Sequence, residues 1–86
     1  MKLFAIFDRK AEGFQAPFPV PTLGQAERAF LDACMEDGTD LAKHPEDYAL
    51  YLVGEFDQSS GEVVAEMVHV ANGSGRPILS EAVADA

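Results

Sequence analysis

The run Tyr48-Ala49-Leu50-Tyr51-Leu52-Val53-Gly54-Glu55-Phe56 leaves the chain less choice of conformation than any other stretch. Pro45 stands just before it, fits neither a helix interior nor a central strand, and drives His44 out of the helical region. The aromatic, leucine and valine residues that follow predict one long β-strand. By parity, Tyr48, Leu50, Leu52 and Phe56 share one face, and Ala49, Tyr51, Val53 and Glu55 the other. Gly54 interrupts the apolar set and predicts a bulge or a close backbone crossing. Asp57-Gln58-Ser59-Ser60-Gly61 reads as a hairpin loop, and Glu62 to Val70 as the strand that returns beside the first.

The rest of the chain must build on that hairpin. Leu3 to Phe7 is a short apolar strand with Leu3, Ala5 and Phe7 on one face and Phe4 and Ile6 on the other. A strand apolar on both faces sits centrally or lies under a partner. Asp8 to Gly13 is a polar turn. Pro17, Pro19 and Pro21 then recur at alternate positions and hold the backbone extended, and a ladder with so few donors belongs at a sheet edge. A polyproline ligand is the other reading of that segment, and the edge strand is favoured. Thr22 and Gln25 form a capping box that opens a helix running to about Asp37, with Gly38 as its stop. Its buried face is Leu23, Ala26, Phe30, Ala33 and Cys34. Thr39 to Lys43 is short enough for a single turn with Leu41 tucked inward. The expected architecture is a single small α+β domain over residues 1–71, with one main helix packed on a largely antiparallel sheet of three to four strands. Asn72 to Gly75 reads as a flexible break, and residues 72–86 as a tail holding a short helix near Ser80, docked on a partner.

An 86-residue chain buries little core, roughly 60% of its unfolded surface. Cys34 is the single cysteine, which excludes an internal disulfide, and no Cys/His cluster suggests a structural zinc. A helix able to cover one face of the sheet leaves the other open, and parity places Tyr51 and Val53 there, with Phe4 and Ile6. Those four are the candidate protein interface, and they predict a homodimer or burial against another protein. The balance of 15 acids against 6 bases, net −9, opposes bulk phosphate binding and favours basic or neutral protein surfaces. Lys2, Arg9 and Lys10 remain a local basic patch beside strand aromatics and are the candidate nucleic-acid contacts. The N-terminal apolar run of five residues is shorter than a signal sequence requires, and no stretch is long enough to span a membrane. The expectation is a soluble cytoplasmic protein with no membrane partner.

Chemistry is hard to find in these residues. Gly73-Ser74-Gly75 lacks the lysine and the strand-to-helix context of a phosphate loop. Cys34, with His44 or His69 as base, is a conceivable nucleophile, but it lies on the apolar helix face, where a buried structural thiol is favoured. His44, Glu46 and Asp47 have the composition of a metal cluster, yet Pro45 spoils a helical ligand spacing and a capping turn is favoured. The reading is therefore a non-enzymatic protein with no catalytic residue, no cofactor and no metal.

Three stretches taken together resemble a known family. They are the first strand with Asp8-Arg9-Lys10-Ala11-Glu12 and Pro17-Phe18, the helix start Pro21-Thr22-Leu23-Gly24-Gln25-Ala26-Glu27-Arg28-Ala29-Phe30, and His44 to Asp57 followed by Gly61. They look like the small nonstructural protein of single-stranded DNA phages of the microvirus group, especially its gokushovirus-like members. The likeness runs over roughly residues 1 to 70, and Gln25 stands where the family often has glutamate. It implies a viral nonstructural accessory in the host cytoplasm, acting in single-stranded genome synthesis or DNA packaging. Phage replication or capsid proteins are the implied partners, and direct single-stranded DNA binding is the alternative.

Overall fold

The computed structural model describes residues 1–74. Its elements are strands β1 (Lys2–Asp8), β2 (Gly13–Phe14) and β3 (Phe18–Val20), helices α1 (Leu23–Met35) and α2 (Asp40–Lys43), a 3-10 turn at Pro45–Asp47, and strands β4 (Tyr48–Phe56) and β5 (Val63–Asn72). The strands form one antiparallel sheet in the order β2-β1-β4-β5, with β3 pairing β1 on the same edge as β2. The α+β expectation holds. The proline segment supplies two short edge strands rather than one, because pairing lapses between Phe14 and Phe18.

Local chemistry sets the boundaries. The Thr22 hydroxyl accepts from the Gln25 N–H at 3.2 Å and starts α1. The Gln25 side-chain Oε1 accepts a hydrogen bond from the Thr22 hydroxyl at 3.2 Å instead of completing the full reciprocal box. At the other end the Thr39 hydroxyl donates to the carbonyls of Ala33 and Glu36, then accepts from Ala42 N–H at 3.1 Å. One side chain thus closes α1 and opens α2, and Leu41 is tucked against the core.

The core lies between α1 and one face of the sheet. Ala26, Phe30 and Cys34 of α1 meet Phe4, Tyr48, Leu50, Leu52, Val70 and Ala71. Phe4, Leu50 and Val70 are fully buried, each stabilising the fold by about 1.5–3 kcal/mol. Phe4 pairs with Leu52 and Ile6 with Leu50, and directly opposite residues of an antiparallel pair share a face. This corrects the sequence expectation: Phe4 and Ile6 belong to the helix-covered face, not to the open one with Tyr51.

Two glycines permit close backbone crossings. The β4 ladder shifts register on both sides around Val53, between Leu3 and Phe4 on β1 and between Leu52 and Gly54 toward β5. A Cβ at Gly54 would stand 3.0 Å from the Val64 carbonyl oxygen, so the bulge and the crossing expected there are both present. Gly73 is buried and its N–H donates to the Tyr48 carbonyl at 2.8 Å. A Cβ there would collide with the Pro45 carbonyl group. Asn72 and Gly73 are therefore not a flexible break, since Asn72 is the last residue of β5 and Gly73, in the turn after it, is held against the turn before β4. The helix expected near Ser80 lies outside the described residues.

Gly73 and the helix residue Gly24 predict opposite signs. Gly73→Ala forces the Pro45 turn to move and lowers the unfolding free energy by roughly 1–3 kcal/mol. Gly24→Ala, with nothing within 4 Å of its added methyl, raises it by about 0.5 kcal/mol through helix propensity. Urea denaturation of the two variants reads both.

Candidate interaction surface

The face of the sheet opposite α1 carries a row of rings. Phe7 and Phe14 are paired residues of β1 and β2 and meet edge to face, with centroids 5.0 Å apart. Phe14 meets Tyr51 of β4 at 5.3 Å, and Phe7 meets Tyr51 at 6.4 Å. Tyr51 then stacks flat on the His69 imidazole of β5 at 4.5 Å and 10°. His69 is fixed from its far side, with Nε2 3.2 Å from Asn72 Oδ1. Edge-to-face and offset contacts at these distances are favourable for aromatic quadrupoles. Four rings thus cross four adjacent strands, and Phe14 at the end of the row is 44% exposed.

Of the expected interface residues, Tyr51 lies in this row and Val53 is half-buried at the bulge beside it. Phe7, Phe14 and His69 complete it. Strand parity placed Phe7 and Tyr51 on identifiable faces, but His69 meets Tyr51 only because a register shift follows Leu50. No local sequence signal marks that shift.

The expected basic patch is not assembled. Lys2 begins β1 while Arg9 and Lys10 follow its end, seven residues of strand apart, or roughly 20 Å. Lys2 Nζ lies 3.7 Å from Glu55, and the Arg9 guanidinium donates to buried Asp47 at 3.2 Å. The Arg9 N–H also donates to the Asp47 carbonyl at 2.8 Å, so Arg9 ties the first turn to the 3-10 turn. Among the described residues Lys10 makes no ion pair.

The other sequence candidates resolve as follows. His44, Glu46 and Asp47 do come together, with ligating atoms within 4.8 Å of one another. Asp47 Oδ1 is already bonded to Arg9, and the other two side chains face solvent. Asp47 thus anchors Arg9 rather than capping the turn. Close by, Tyr48 is pushed above the ordinary tyrosine pKa by burial, and further by the charges of Asp8, Asp40 and Asp47. Cys34 is buried against the core, and burial raises its thiol pKa. That keeps it protonated and poorly nucleophilic, and neither histidine is hydrogen-bonded to it. No pocket opens among the described residues, and none of their helices is long and apolar enough to cross a membrane.

A model of the family described as Phage ORF5 protein matches residues 1–75. The chain belongs to the Phage ORF5 protein family. The ORF5 match spans every helix and strand of the described residues and extends just past Gly73 and Ser74. It bears out the phage origin implied by the resemblance of the first strand, the helix start and the His44–Asp57 stretch. Neither the curated proteins nor the solved structures gave a match.

The Cys34 environment gives a direct check on this ORF5 chain. Thiol-modifying reagent reacts with the native protein at least about tenfold more slowly than with the urea-unfolded chain, because both access and thiolate fraction fall on folding. Equal rates would contradict the buried, structural placement.

Proposed function

We propose that this phage protein is a non-enzymatic accessory of single-stranded genome synthesis or packaging in the host cytoplasm, working through protein–protein contacts on the open face of its sheet. The observation that carries this reading is the aromatic row Phe14, Phe7, Tyr51 and His69 on the side α1 does not cover. Aromatic residues supply large contact area at small conformational cost and are enriched where partners dock. The acidic balance, net −9, supports a basic or neutral protein partner. A replication or capsid protein of a microvirus-like phage fits that description.

The same row supports a second reading. Rings on neighbouring strands are the platform on which single-stranded DNA stacks its bases. Phosphate contact also needs cations, and Lys2 and Arg9 are each committed to a carboxylate. The protein-contact reading is therefore preferred.

Two measurements separate the readings. A pull-down from phage-infected cells retains a phage protein on the wild-type chain and loses it with the Phe14→Ser/Tyr51→Ser double variant, while circular dichroism shows both folded. A single-stranded DNA titration at low salt, where phosphate contacts are strongest, stays flat. Saturable DNA binding that the double variant abolishes would overturn the protein-contact reading in favour of the second.

A further inference from the structure

We propose that the outer side of β5 is a docking edge for an extended, basic segment of a partner protein, which adds to the sheet as a strand beside Val63–Val68. This surface is distinct from the aromatic face, so the two proposals stand or fall separately.

Strand β5 ends the sheet order, and among the described residues no strand pairs with its outer side. The hydrogen-bond parity of its first half is fixed by its neighbours. Phe56 exchanges both backbone bonds with Met1, accepting at 2.9 Å and donating at 2.7 Å, so it faces away from β5. The Asp57 N–H turns the other way and donates to Glu62 at 2.9 Å. Because Phe56 lies opposite Val63 and Gly54 opposite Ala65, Val63 and Ala65 point their N–H and C=O groups outward. A free edge of this kind is a template for strand addition.

The side chains give the edge its chemistry. Residues 63–67 are exposed without interruption, and Val63, Val64 and Met67 are 59%, 61% and 61% exposed. Cover from the helix side begins only at Val68 and Val70. Glu62 and Glu66 flank and punctuate this apolar run, and among the described residues neither has a cation within ion-pair reach. Opposite charges across a strand pair stabilise it and like charges destabilise it. An added strand that alternates apolar residues with Lys or Arg satisfies both the apolar side chains and the carboxylates.

A second copy fits less well. Two-fold pairing centred on Val64 sets Glu62 of one copy opposite Glu66 of the other, and pairing centred on Glu66 sets that residue against itself. The register centred on Ala65 avoids direct opposition but gathers the Glu62 and Glu66 carboxylates of both copies with no cation among them. The acidic residues thus act against self-association while selecting a basic strand.

The test uses the full chain, isotope-labelled, and two synthetic peptides of about seven residues, an ordinary strand length. One alternates valine with lysine, the other valine with glutamate. The lysine peptide shifts and protects the Val63 and Ala65 amides, and the glutamate peptide binds about tenfold more weakly or not at all. Glu66→Lys weakens the lysine peptide about fivefold and improves the glutamate peptide. Ala65→Pro removes an outward donor without touching the ladder to β4, and abolishes protection. Should that variant fail to fold, Glu66→Lys alone still decides. Equal binding of the two peptides would overturn the proposal, as would perturbation centred on Phe14 and Tyr51. Protection of the β5 amides in the free protein that grows with concentration would assign the edge to a second copy instead.

Discussion

One helix can shield one side of a sheet, and the structure follows from that limit. With 13 residues, α1 reaches about 20 Å, enough to cover the middle of β1, β4 and β5 on one face. Phe30 and its neighbours close over Phe4, Leu50 and Val70, which are fully buried. In a small chain without disulfide this cluster carries most of the stability. Beyond the reach of α1, the aromatic row on the far face is partly exposed and the first half of β5 at the edge is exposed throughout.

The core is held in register by backbone crossings more than by ion pairs. Gly73 against Pro45, Gly54 against Val64, and Met1 against Phe56 pin the two ends of the hairpin to the elements beside it. Arg9 adds a tie between the first turn and the 3-10 turn, through both its backbone and its side chain. The exposed Lys2–Glu55 pair adds little stability, but it withdraws a cation from the nucleic-acid contacts that the sequence suggested.

What was legible in the sequence was local. Pro45 sets the turn, Tyr48 to Phe56 make the long strand, Gly54 allows the bulge, and Thr22 starts the helix where its hydroxyl reaches Gln25. What was not legible depends on register. Parity alone shows that Phe4 and Ile6 share a face, but their pairing with Leu52 and Leu50 decides which face. The role of Gly73 depends on a contact with Pro45, 28 positions earlier in the chain, and a glycine beside Ser74 reads locally as a loop. His69 entered the aromatic row through a register shift with no composition signal. The match to the Phage ORF5 family takes in the whole stretch His44–Asp57. The stretch's contribution to the proposed contact surface comes through Tyr51, which lies on the face away from the core that the same strand helps to build.

The central claim is that α1 buries one face and leaves the aromatic row and the β5 edge to solvent in the free protein. A soluble paramagnetic probe in an NMR relaxation measurement tests this most directly. The account predicts strong broadening at Phe14, Val63, Val64 and Met67, which are 44–61% exposed, with Phe4, Leu50 and Val70 untouched. Protection of Phe14 and Met67 equal to that of Phe4 would contradict it, because the surface assigned to partners would then already be covered.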